Sequence, residues 1–229
     1  MRTLTAIGHR GDPYRFRENT LSSIRSAFAR GADAVEIDVR LTRDGEPVLL
    51  HDETLERLWG HDVRLDAVTA PQLRELTDGG VPTLREALAA AGEGRVMVDL
   101  PGATYEAVRK VVGQVREYGA RDRTSYCAGP NTMLEVRAAD PDAEIALTWT
   151  TLSPPRRVLI DAVSPTWLNY RFGLVGPELV DALHRDGLLV SAWTPDTKRS
   201  MRRVVRAGVD AVTTNRLDAL AAVRADLGR

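Results

Sequence analysis

The chain has 229 residues, 43% of them hydrophobic and 28% charged, with a formal net charge of −1. That length and apolar content suit one α/β barrel with a sizeable core, while near-neutral charge excludes a general attraction to nucleic acid or an anionic membrane. The lone cysteine, Cys127, excludes an intramolecular disulfide framework and reads as a small core residue.

The amino terminus, Met1-Arg2-Thr3-Leu4-Thr5, lacks the apolar core of a signal peptide, and no apolar run approaches the ~18 residues of a membrane span. A cytoplasmic protein without stable membrane insertion is expected. Leu4–Gly8 is a first strand, followed by a polar loop. Asn19 or Thr20 would cap a helix carrying Leu21, Ile24, Ala27 and Phe28 at helical spacing, which Gly31 ends. Ala34–Val39 is the second strand. Asp44-Gly45 turns the chain into a short strand, Pro47–Leu50. Residues 53–81 form a loop with one short helix near Pro71–Leu76, too short for a separate domain. Thr83-Leu84-Arg85-Glu86 is a capping box opening a helix that Gly92 ends.

From there a strand-then-helix rhythm repeats. Strands are expected at Arg95–Leu100, Arg123–Cys127, Glu144–Trp149, Ala162–Ser164, Leu188–Trp193 and Asp210–Thr213. Helices fall between them, the last at 216–227. Alternation of this kind favours a single (β/α)8 TIM-barrel domain spanning 1–229 over an open doubly wound sheet, and no G-x-G-x-x-G or Walker motif supports a nucleotide fold.

In such a barrel, side chains at the carboxyl ends of the strands surround one pocket. His9-Arg10, Glu36, Asp38, His51, Asp99, Tyr126, Trp149, Trp193 and Asn215 stand at or near those ends. Glu36 and Asp38, two apart in a strand, point the same way. With Asp99 they offer hard oxygen donors that suit Mg²⁺ or Ca²⁺, although Arg10 or Arg40 could instead neutralise them as structural ion pairs. Two strand-end histidines, His9 and His51, can divide acid and base roles near neutral pH. Arg10 could clamp a phosphate through its planar fork, or pair with Glu36 or Glu18. Trp193 could wall a ligand or cap the core. His61 and His184 are read as surface residues, and the Arg-rich helix around Arg202-Arg203 as a solvated face. A divalent metal, two histidines and an arginine together suit phosphoryl-ester hydrolysis.

At these residues the sequence resembles the glycerophosphodiester phosphodiesterase family. The likeness lies in His9-Arg10-Gly11, Glu18-Asn19-Thr20, the run Gly31-Ala32-Asp33 to Glu36-Ile37-Asp38-Val39, Thr42 with Asp44-Gly45, His51-Asp52 and Leu55 with Arg57. It continues in Pro82 to Glu86, Ala192-Trp193-Thr194 and Thr214-Asn215-Arg216. The resemblance implies a TIM barrel that hydrolyses small-molecule glycerophosphodiesters to an alcohol and sn-glycerol 3-phosphate. It implies His9 and His51 as catalytic acid and base, Glu36, Asp38 and Asp99 as ligands of Mg²⁺ or Ca²⁺, and Arg10 and the Trp193 region as substrate contacts.

Two positions depart from the family pattern. Its third strand usually reads Glu-x-Lys, whereas here it reads Asp99-Leu100-Pro101, so the phosphate-side lysine is absent; Arg171 or another arginine from a neighbouring loop is expected in its place. Arg17 stands where Pro is usual before Glu18-Asn19-Thr20. The departures leave open a sphingomyelinase D-like substrate, or a non-catalytic barrel that binds a phosphorylated polyol.

Overall fold

In the computed structural model, which describes residues 4–227, eight parallel strands close into a barrel with helices outside it. The strands are β1 Thr5–His9, β2 Ala34–Leu41, β4 Arg95–Asp99, β5 Thr124–Ala128, β6 Glu144–Trp149, β7 Trp167–Arg171, β8 Leu189–Trp193 and β9 Ala211–Thr214. Around the barrel the order runs β1-β9-β8-β7-β6-β5-β4-β2, and parallel pairing of β1 with β2 closes it. The fold is a (β/α)8 TIM barrel.

Between the strands lie α1 Leu21–Ala29, α4 Leu84–Ala91, α5 Tyr105–Glu117, α6 Pro130–Ala139, α7 Arg157–Val163, α8 Pro177–Arg185, α9 Lys198–Arg206 and α10 Leu217–Leu227. Their starts follow local chemistry. Thr20 caps α1, Thr83 and Glu86 form the capping box of α4, and Pro130 and Pro177 occupy first-turn positions where no N–H is needed. Val35, Ile37, Val98, Ile145, Leu147, Leu168 and Val190 project outward from the strands and pack under the helices in one continuous core. The alternate residues face inward. Ile7, Ala34, Met97, Cys127, Ala146 and Ala211 fill the barrel's middle, and above them the inward positions turn polar.

The structure corrects three expectations. The strand expected at Ala162–Ser164 is the end of α7, which Ser164 terminates in a left-handed conformation at φ 47°; the strand lies beyond Pro165, at Trp167–Arg171. The 53–81 excursion carries two short helices, α2 Glu56–Trp59 and α3 Ala70–Leu76, instead of one. Leu50, Leu55, Leu65 and Leu73 bury together there as a satellite core beside the barrel. His184 is half-buried rather than on the surface, with its Nε2 2.7 Å from Asp210 Oδ2 at the foot of the barrel.

A ninth strand, β3 Pro47–Leu49, runs antiparallel to the far end of β2, pairing Val39 with Leu49 and Leu41 with Pro47. This hairpin matters for the site because it brings the chain back over the top of β2.

Candidate active site

The carboxyl ends of the strands enclose a cavity of about 270 Å³. His9, Arg10, Glu36, Asp38, His51, Asp99 and Trp193 all line it, so the structure gathers the sequence-expected site residues around one space.

His9 closes β1 on an inward position. Its Nδ1 lies 2.8 Å from Asn215 Oδ1, just beyond β9, while Asn215 Nδ2 donates to Asp196 Oδ2 at 2.7 Å. The Asp196 carboxylate accepts only, so the Asn215 amide must turn its oxygen toward His9. Nδ1 of His9 is then the donor, and Nε2 keeps its lone pair in the neutral ring. That Nε2 stands 3.9 Å from Glu36 Oε2. Burial, followed by the nearby Arg10 guanidinium, holds the His9 pKa below its ordinary value.

After His9 the chain turns sharply through two left-handed residues, Arg10 at φ 57° and Gly11 at φ 89°. Gly11 is required there, since a Cβ would stand 2.3 Å from Ser23 Oγ. The turn aims the Arg10 backbone N–H at Glu36 Oε2 (2.9 Å) and lays its side chain across the acids. Nη1 donates to Glu18 Oε1 at 2.8 Å, and Nε approaches Asp38 Oδ2 at 3.1 Å without hydrogen-bond alignment. Arg10 therefore both lines the cavity and pairs with the carboxylates.

Asp38 is buried and held from farther along the loop that carries Arg10. Asn19 donates from Nδ2 to Asp38 Oδ2 at 2.7 Å and accepts the Asp38 backbone N–H at 3.2 Å. Register aligns Glu36 with Met97 and Asp38 with Asp99 on the neighbouring strand. One oxygen from each of Glu36, Asp38 and Asp99 thus lies within 4.8 Å of the others. Without a cation these acids repel. Burial and the two neighbouring aspartates push Glu36 well above the ordinary carboxylate range, and burial with Asp38 raises Asp99 to about 7. The donors are all oxygen, close together, and strained by their own charge, which fits a hard divalent cation.

His51 arrives by the β2–β3 hairpin. Leu50 N–H donates to Asp38 O, placing the next residue above Asp38. His51 Nδ1 contacts Asp52 Oδ1 at 2.7 Å, and Arg57 joins Asp52 to Glu18, which is itself bonded to Arg10. One polar chain thus links the loops carrying His9 and His51.

Tyr126 and Trp149, candidates from their strand-end positions, do not face the cavity. Tyr126 points outward into the core, and Trp149 donates from Nε1 to Ser153 O. Arg171 is exposed at the end of β7 and does not line the cavity, so it does not take the place of the absent lysine at Pro101. The sequence reasoning missed Thr148, Asn169, Thr213 and Cys127, which also line it. Strand alternation was the available signal, because each lies an even number of residues from an inward neighbour. Trp193 Nε1 and Thr213 Oγ1 are buried without a hydrogen-bond partner. Asp196 and Asn19 come from loops and carried no sequence signal for these contacts.

The model of the Glycerophosphoryl diester phosphodiesterase family matches residues 9–219. A glycerophosphodiester phosphodiesterase from Caldanaerobacter subterraneus subsp. tengcongensis is 28% identical over 94% of this chain and 95% of its own length. Glycerophosphodiester phosphodiesterase 1 of Bos taurus is 32% identical over 85% of this chain and 72% of its own. An Oleispira antarctica phosphodiesterase, solved in complex with the product sn-glycerol-3-phosphate, superposes with a TM-score of 0.88 at 21% identity, covering 96% of both chains. No helix among the described residues is long and apolar enough to cross a membrane.

Proposed function

The chain belongs to the glycerophosphoryl diester phosphodiesterase family, and on that footing we propose that it is a metal-dependent enzyme hydrolysing glycerophosphodiesters to an alcohol and sn-glycerol 3-phosphate. The observation that carries this reading is the Glu36, Asp38 and Asp99 oxygen cluster, flanked by His9 and His51 in one cavity.

Glu36, Asp38 and Asp99 would hold the divalent cation, Mg²⁺ or Ca²⁺. When bound, such an ion supplies Lewis-acid polarisation of a non-bridging phosphoryl oxygen and offsets the charge that develops there. The protein's own groups move the protons. His9, kept neutral by burial and by Arg10, presents the lone pair of Nε2 and takes a proton from the attacking water as its oxygen bonds to phosphorus. His51, with Nδ1 directed at Asp52, gives a proton to the departing alkoxide as the phosphorus–oxygen bond breaks. Arg10 partly balances the acids before substrate arrives and faces the phosphoryl group from the cavity wall. Trp193 and Thr213 line the cavity where the glycerol end of the substrate would sit.

The test is phosphorus NMR on protein stripped with EDTA, given glycerophosphocholine or glycerophosphoglycerol, before and after adding Mg²⁺ or Ca²⁺. Metal-dependent release of sn-glycerol 3-phosphate is expected. A cyclic phosphate would move the reading to the sphingomyelinase D-like reaction, and no turnover of either diester with either metal would reject hydrolysis of this class.

A further inference from the structure

A second cavity, of about 190 Å³, adjoins the first across the Pro101-Gly102 segment, which lines both. Leu65, Leu100, Ala103 and Val111 give it an apolar wall. Its charged lining is unevenly satisfied. Arg64 is spent on Glu53 and Asp66, donating to both carboxylates at 2.8–3.0 Å. Arg40 has no such partner: no carboxylate of the described residues lies within ion-pair distance of it. Its Nε donates to the His51 backbone carbonyl at 2.8 Å, and that is the only hydrogen bond its guanidinium makes among the described residues.

Among the described residues Arg40 is therefore a half-buried cation without a carboxylate partner. It lies two residues beyond Asp38 on the same face of β2, and is tied to the backbone of the imidazole that meets the leaving oxygen in the reaction above. The alcohol that departs past His51 has this crevice beside it. We propose that the second cavity is the leaving-alcohol subsite, and that Arg40 selects diesters whose alcohol carries an anionic group on a short apolar stem. The anionic group is a carboxylate or a second phosphate, either of which the planar guanidinium fork can grip. A quaternary ammonium would meet the same charge as repulsion, and the acids that might attract it are already held by Arg64. This inference rests on the proposed reaction and adds the substrate class.

The experiment compares kcat/KM on matched diesters with metal present: glycerophosphoglycerol, the same diester phosphorylated on its leaving glycerol, glycerophosphoserine and glycerophosphocholine. The phosphorylated or the carboxylate-bearing substrate is expected to exceed its neutral or cationic counterpart by about tenfold or more, the scale of a charge-assisted hydrogen bond over a neutral one. Which of the two leads distinguishes phosphate from carboxylate. Arg40→Gln should collapse that ratio, whereas Arg40→Lys should keep part of it. A purely structural Arg40 would lower the rates on all four substrates and leave the ratio in place. Equal use of all four diesters, preference for choline, or an unchanged ratio in Arg40→Gln overturns this inference alone. Failure to hydrolyse any of them overturns the proposed reaction and this inference with it.

Discussion

Asn19 grips Asp38 with both halves of its amide, one on the carboxylate and one on the backbone N–H. Asn19 itself sits at φ 56°, a left-handed conformation that asparagine tolerates better than most residues. The contact leaves the rest of the carboxylate free to face Glu36 and Asp99. Replacing Asn19 with alanine strands two buried polar groups, and should cost about 1–3 kcal/mol of stability. Divalent-metal affinity should fall by about 10–100-fold, as when other groups behind a ligand are removed. Chemical denaturation and calorimetric titration with Mg²⁺ would check the two parts separately.

The acid cluster of the metal-free protein should contribute less stability as pH rises from about 4 to about 7, a loss that the lowered pKa of His9 offsets only in part. The folded state raises the pKa of Glu36 and Asp99, so it binds more protons than the unfolded chain across that window. The Asp99 contribution is complete below the ordinary carboxylate range and is lost as pH passes its folded value, about 7, and Glu36 acts in the same direction. Calorimetric melting in EDTA should give a higher Tm near pH 5 than near pH 8. Excess Mg²⁺ or Ca²⁺ should reverse the difference, and Asp99→Asn should flatten the metal-free curve.

Asn215→Asp places a carboxylate against His9 Nδ1 in place of a neutral amide oxygen. A negative neighbour favours the imidazolium, so the His9 pKa rises. Because the proposed base works only when neutral, the acidic limb of the kcat/KM profile should move upward by about one pH unit. Asn215→Leu should instead lower kcat and leave the limb unshifted by a new charge. A pH–rate series on the three proteins separates these outcomes.

His9→Ala and His51→Ala should each reduce metal-dependent turnover by about 10²–10⁴-fold, the usual span of general acid–base catalysis. The double variant should lose less than the product of the two, since the residues serve one reaction. Circular dichroism should show the barrel intact in all three, because neither imidazole belongs to the apolar core. Turnover unaffected in both single variants would remove these histidines from the mechanism.

Much of this arrangement is legible in the sequence because barrel strands end where the chemistry is. Glu36 and Asp38 announce themselves by spacing, and His9 and His51 by following apolar runs. The sixth barrel strand was misplaced to Ala162–Ser164 because Trp167-Leu168-Asn169-Tyr170-Arg171 mixes polar and aromatic residues and lacks a plain apolar run. In the fold, Leu168 and Tyr170 bury outward and Asn169 faces the cavity, the alternation a barrel strand needs. Asn19 and Asp196 were invisible as partners for a different reason. Asn19 reaches from a loop to the next strand and Asp196 to the loop after β9, and no local period encodes which of these segments meet.

The bond between His9 and Asn215 spans 206 positions of sequence. Ribosomes make the amino end first, so the imidazole proposed as base emerges early but cannot be oriented until β9 closes against β1. A nascent chain released short of that point would carry both histidines and all three acids, yet leave His9 free to rotate. Orientation of His9 is thus delayed until the last strand of the barrel has been made and has paired with β1 and β8.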